Sequence, residues 1–172
     1  IYNFFQAFLD EGDVVIIPAP YCVSYSDMVL LAGGAPRIVL TKEEDGFRIT
    51  ADQLQEVLTT RTCAFVLNSP CNPTGATYSG EDLAALSRVL EKHHCSVISD
   101  DIYEKILYDG LQFQNIVTIN PSLRERTIIV NGVSKTYAMT GWRIGYALGP
   151  AFVIDAAAKI QSQSTSNPTS IA

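Results

Sequence analysis

"CAFVLNSPCNPTGATYSGEDLAALSRVLEKHHCSVISDD", residues 63–101, carries the alternation from which the fold is read. It opens on an unbroken apolar, β-branched run, turns through two prolines and a glycine, and resumes as a segment of helical period. In that segment Leu83, Leu86, Val89 and Leu90 fall on one face, and Ser79 stands where it can cap the start with Asp82 three residues on. A second apolar run, "CSVISDD", then closes the unit. Near-continuous rather than alternating apolarity is the mark of strands covered on both faces, so the stretch reads as strand, turn, helix, strand.

The same pattern extends in both directions. "DVVIIP" (13–18), "APRIVL" (35–40), "TIIVNGV" (127–133) and "GYALGP" (145–150) are further apolar runs, each set off by turn residues or a helical segment. Repeated strand and helix predict an α/β protein in three layers, with helices on both faces of a mostly parallel sheet. At 172 residues the chain suits one well-cored domain. It begins without methionine on "IYNFFQAFLDEGD", which reads as a helix under way, and ends at "TSNPTSIA" without a closing element. The expectation is a piece of a longer protein.

Composition narrows the function. Hydrophobic residues make up 47% and charged residues 17%, which suits a folded, soluble chain. No apolar run approaches the roughly 20 residues of a membrane span, and the opening residues lack the pattern of a secretory signal. The net charge of -6, with no basic cluster, argues against a nucleic-acid surface and for a small-molecule partner. Cys22, Cys63, Cys71 and Cys95 show neither metal-type spacing nor the density of a disulfide scaffold, so reduced thiols and a cytoplasmic setting are expected.

In open parallel sheets ligands collect beyond the carboxyl ends of the strands. Those ends read "PAPY", "NSPCNPTG", "SDDIYE" and "NGVSK". Asp100 follows an apolar strand, where a carboxylate needs a partner or its pKa rises, although an Asp there also serves as a turn or helix cap. Tyr103 lies three residues on. The prolines and glycine of "NSPCNPTG" can hold the Asn72 amide in one place. Lys135 lies past the strand "TIIVNGV", where desolvation would free its amine as a nucleophile toward an aldehyde. Arg143, between Trp142 and Ile144, is expected to emerge from packed surroundings, which suits a bidentate anion. An aldehyde-seeking lysine, a carboxylate for a ring nitrogen and a cation for a phosphate together match the demands of pyridoxal phosphate.

The ordered motifs "PAPYCVSY", "NSPCNPTG", "SDDIYE", "NGVSKTYAMTGWRIGY" and "QSTSNPTSIA" resemble the fold-type I aminotransferases of the class I family, most closely the bacterial aspartate aminotransferases. The resemblance implies their large domain, with the last strand of the sheet antiparallel, here incomplete over residues 1–172. An N-terminal segment and a C-terminal small domain would lie outside it, and the segment alone would be inactive. Pyridoxal 5'-phosphate is the implied cofactor. Lys135 would bond its aldehyde carbon and move the substrate Cα proton, and Asp100 would pair with its ring nitrogen. Asn72 and Tyr103 would bind its phenolate oxygen, and Arg143, helped by Ser134, its phosphate. The two cations of "NGVSKTYAMTGWRIGY" would thus hold opposite ends of one molecule. The implied reaction moves an amino group from an L-amino acid, aspartate by the closest resemblance, to a 2-oxo acid such as 2-oxoglutarate, in a homodimer. Related enzymes often read "PYWVSY", with the tryptophan stacking on the ring; this chain has Cys22 there, so the stacking wall is altered.

Two rival readings remain. Other enzymes of the fold, such as a C-S lyase, an aminocyclopropane-carboxylate synthase or a kynurenine-type transaminase, share Lys135, Asp100 and Arg143. A non-catalytic module of the same fold is the second, and retention of both Lys135 and Asp100 weighs against it.

Overall fold

The computed structural model describes residues 1–171; Ala172, the last residue of "QSTSNPTSIA", lies outside them. Six strands form one sheet: β1 (Val14–Ala19), β2 (Ala35–Leu40), β3 (Thr62–Asn68), β4 (Ser96–Asp100), β5 (Thr127–Gly132) and β6 (Gly145–Leu148). Each predicted run became a strand within a residue or two. The order is β2-β1-β3-β4-β5-β6, with every neighbouring pair parallel except β5 and β6.

Strand alternation divides the core between two helical layers. On one face α1 (Tyr2–Phe8), α2 (Ser24–Leu31) and α6 (Ala151–Ser162) bury Phe5, Tyr25, Val29 and Val153 against Val15, Ile17, Val66 and Ile98. On the other, α3 (Ala51–Val57), α4 (Gly80–Leu90) and α5 (Ile116–Ile119) bury Leu54, Leu83, Leu86, Leu90 and Ile116 against Ile16, Phe65, Leu67 and Val97. Each such aliphatic side chain contributes about 1.5–3 kcal/mol relative to exposure. The three predicted layers are therefore present.

The helix ends follow local chemistry. Asp82 N donates to Ser79 Oγ (3.1 Å) and Ser79 N to Asp82 Oδ2 (2.9 Å), so α4 begins at the expected cap. Thr50 and Gln53 form the same reciprocal pair at α3. At the far end of α4, Arg126 donates to the carbonyls of Leu90, His93 and Cys95. Coverage on both faces also fails at the edge strands, since Leu40 of β2 and Tyr146 and Leu148 of β6 remain exposed.

Because β1 lies between β2 and β3, the chain leaves it in opposite directions and the helices change face. This is the topological switch of an open α/β sheet, and the carboxyl ends of β1, β3 and β4 open beside it.

Candidate functional site

Four short segments meet above those strand ends. Cys22 and Tyr25 come after β1, Asn68 and Asn72 from the end of β3 and its loop, Asp100 and Tyr103 after β4, and Asn131 from β5. They line an open cleft of about 430 Å3. Cys22, Asn72, Asp100 and Tyr103 are thus gathered in one place.

Asp100 is the best-held group in it. Tyr25 donates its phenol to Asp100 Oδ2 at 2.5 Å, and the Ile102 amide donates to Oδ1 at 3.3 Å. Burial pushes the Asp100 carboxyl above its usual range; the Tyr25 and Ile102 bonds work against that rise. Burial and the neighbouring Asp100 charge push the Tyr25 phenol far upward, so the proton of the pair stays on Tyr25. Tyr25 is only 4% exposed. Its bond to Asp100, 75 positions away, joins α2 to the end of β4.

Asn68 was missed outright. Its Nδ2 donates to the Asp100 carbonyl (2.9 Å) while its Oδ1 accepts the Asn72 amide (2.9 Å), so one side chain ties the proline loop to the aspartate strand. Further bonds from Gly75 N to Cys71 O and from Tyr78 N to Ser69 Oγ close that loop, and Gly75 holds a φ of 72° that favours glycine. The turn expected around Asn72 is present and ties its backbone, while the Asn72 residue itself is exposed. A strand-terminal Asn beside a Pro-Gly turn was the available signal for its bridging role.

The cations are placed differently from the expectation. Lys135 lies on the turn after β5 and is exposed, its Nζ 5.8 Å from the centroid of the Tyr103 ring. It therefore adjoins the cleft through Tyr103, but the burial expected to free its amine is not provided. Ser134 lies beside it, partly buried, and neither residue lines the cleft. Arg143 is exposed too, with a φ of 53°, and its guanidinium donates to the Thr140 carbonyl at 2.8 Å. Trp142 beside it is 41% exposed, so the packed surroundings foreseen for Arg143 are lacking. The physical reason is that residues 133–144 form an excursion between two antiparallel strands, pinned at its base by Val133 N to Ile144 O (3.2 Å). Gly132 permits that pinning, since a Cβ there would meet Ile144 O at 2.8 Å.

A family model described as aminotransferase class I and II matches residues 1–172. The chain belongs to that family. It is 52% identical over 172 residues to an aspartate aminotransferase of Geobacillus stearothermophilus, covering 100% of this chain and 44% of that protein. It is 55% identical over 173 residues to an aspartate/prephenate aminotransferase of Cereibacter sphaeroides, covering 100% and 43%. Among solved structures, an aspartate aminotransferase from Rhizobium meliloti matches with a TM-score of 0.97 at 51% identity, over 99% of this chain and 43% of that one. The chain thus spans less than half the length of these relatives.

Aminotransferases of this fold use pyridoxal phosphate. The donor set of this class I/II chain fits such a group in chemistry: a partly buried carboxylate facing the cleft, an amide, a phenol and an adjacent lysine. A carboxylate raised by burial gains most from a cationic partner, and a protonated ring nitrogen is one.

Proposed function

We propose that this chain is the cofactor-binding large domain of a pyridoxal-phosphate-dependent aminotransferase, acting in the full-length protein on an L-amino acid, aspartate, and a 2-oxo acid, 2-oxoglutarate. The observation that carries the reading is the Tyr25–Asp100 pair on the cleft wall, in a chain of this family. When bound, the cofactor supplies an aldehyde carbon to take up the amino group and a ring that accepts electrons.

The protein's part is to hold charges and move one proton. Asp100 keeps a proton on the ring nitrogen, and Tyr25 keeps Asp100 ionised and oriented. Asn72 and Tyr103 donate to the ring's phenolate oxygen. Cys22 supplies a face of the ring site. Lys135 would hold the aldehyde carbon and, with the substrate's amino group in its place, its amine would take the proton from the substrate Cα. Ser134 and Arg143 bind the phosphate; for Arg143 this requires its exposed guanidinium to leave the Thr140 carbonyl.

The substrate assignment draws on relatives. The aspartate aminotransferase of Thermus thermophilus, 48% identical, has been solved with maleate, a dicarboxylate. Several relatives carry the name aspartate/prephenate aminotransferase, which makes prephenate a second candidate acceptor. No helix among the described residues is long and apolar enough to cross a membrane, and all four cysteines are free; a cytoplasmic setting agrees with both, and the homodimer is carried over from the family.

The test is amino transfer by the full-length protein from aspartate to 2-oxoglutarate and to prephenate, with Lys135→Ala alongside. The expectation is turnover in the wild type, none in the variant, and a cofactor that borohydride fixes covalently to the protein only in the wild type. Release of thiol from a cystathionine-type substrate without amino transfer would install the lyase reading instead. A cofactor-bound protein inert toward every amino acid would leave the binding-module reading.

A further inference from the structure

Beneath the cleft, on the opposite face of β4, lies a polar cluster that the reading above does not use. Asp101 is 4% exposed, Ser99 2% and Asn115 9%. Ser99 Oγ donates to Asp101 Oδ1 at 2.7 Å, and Asn115 Nδ2 donates to Asp101 Oδ2 at 2.6 Å. The Asp101 amide donates to Val130 O (2.9 Å), so its backbone is fixed as well. Asn115 is in turn the N-cap of α5, accepting the Val117 amide at 2.8 Å. A buried, fully satisfied network of this kind rigidifies what it joins.

What it joins is a loop. Residues 102–114 leave β4 and return to α5 without regular structure, and the Asp101–Asn115 bond closes them at the base. The loop carries Tyr103 and begins with the Ile102 amide that holds Asp100 Oδ1. We propose that Asp101, with Ser99 and Asn115, is a positioning residue that locks the 102–114 loop and so fixes both Tyr103 and the Asp100 carboxylate for the cofactor. This rests on the cleft being the cofactor site.

The bond has one donor and one acceptor, so it can be broken and remade. Asp101→Asn leaves one oxygen for the two donors Ser99 Oγ and Asn115 Nδ2, so one of them faces an NH2, and Asn115→Asp sets two carboxylates against each other. The double variant restores a donor facing an acceptor with the partners exchanged, and the carboxylate then at position 115 retains an oxygen for the Val117 amide. Two readouts are made on the full-length protein. The first is tryptic cleavage after the exposed Lys105 in the cofactor-free form, followed by mass spectrometry. The second is the dissociation constant of pyridoxal phosphate from its absorbance band.

Each single variant is expected to open Lys105 to trypsin and to weaken cofactor binding on the order of tenfold, the usual effect of one unsatisfied buried polar group. The double variant is expected to return both readouts to within about twofold of wild type, because the coupling belongs to the pair. Singles as protected and as tight as wild type would overturn the proposal, as would a double no better than either single. Loop opening with unchanged cofactor affinity would do so too, leaving a structural role only. Cofactor binding by the wild type is measured first: its absence would remove the cleft assignment and this proposal with it, while indifference of the variants in a binding-competent protein would remove this proposal alone.

Discussion

Removing one oxygen at Tyr25 isolates the electrostatic part of the candidate site. Tyr25→Phe keeps a ring that is 4% exposed in the α2 core and deletes only the phenol that donates to Asp100 Oδ2 at 2.5 Å. Burial already pushes the Asp100 carboxyl upward, and the Tyr25 bond is the foremost influence opposing it. A hydrogen bond to a charged group contributes about 1.5–3 kcal/mol. Its loss moves Asp100 further toward the protonated form, so binding a cationic ring must first ionise it. Cofactor affinity should therefore fall about tenfold to a hundredfold near neutral pH, where each 1.4 kcal/mol is a factor of ten. Because the defect comes from a protonated Asp100, it should shrink as pH rises. The assay is equilibrium dialysis of pyridoxal phosphate against the full-length wild type and variant from about pH 6 to 9, a range that brackets neutrality, with thermal melts of the cofactor-free proteins alongside. An unchanged affinity, or a loss equal at every pH, would refute the argument and leave Tyr25 a packing residue.

Other perturbations bear on the remaining features. Cys22→Trp should tighten cofactor binding by about 1 kcal/mol if an indole adds stacking area on the cleft wall, and an unchanged dissociation constant would rule that out. Gly132→Ala brings a Cβ to 2.8 Å from Ile144 O, so it should destabilise the β5–β6 connection by about 1–3 kcal/mol in urea melts and lower Lys135 reactivity toward pyridoxal phosphate, whereas a fully wild-type variant would show that the approach is not tight. Ser79→Ala should cost about 1 kcal/mol of stability through the lost α4 cap, read from the urea midpoint. Burial pushes the Asp101 carboxyl up from 3.8 to about 7, against its Ser99 and Asn115 bonds and with the Asp100 and Glu104 charges. The folded state then binds more protons than the unfolded one between those values, so this group's contribution to stability falls as pH rises from about 4 to 7, by at most about 4 kcal/mol. A cofactor-free protein whose urea midpoint is higher at about pH 8 than at about pH 5 would contradict that sign.

The fold was legible because its signals are local. Apolar runs such as Ala35–Leu40 and Thr127–Gly132 became strands with scarcely shifted ends, and the Ser79–Asp82 cap formed as spaced. Edge exposure at Leu40 and Leu148 was not legible, since sheet order is set by pairing between distant segments, not by any one of them. The exposure of Lys135 and Arg143 has the same origin. Their neighbours in sequence are apolar, but the excursion between the antiparallel strands β5 and β6 that carries them leaves both exposed.

The two aspartates of "SDDIYE" show where sequence reasoning stopped short of what it held. Adjacent residues on a strand face opposite sides, so the pair had to divide. Asp100 continues the face of Ile98, which packs with α1 and α2, and so meets Tyr25; Asp101 continues the face of Val97 and Ser99, which packs with α3 and α4, and so meets Asn115. Only Asp100 can reach a ligand in the cleft. Asp101, with both oxygens engaged beneath the sheet, can act on that ligand only through the loop that begins beside it. Period-2 alternation alone could have made the first assignment, but the partners, Tyr25 before it and Asn115 after it, lie 75 and 14 residues away. Each is brought in by a helix whose face was fixed by the strand-order reversal at β1. The chemistry of the cleft thus depends on topology at the point where the chain changes the side of the sheet it covers.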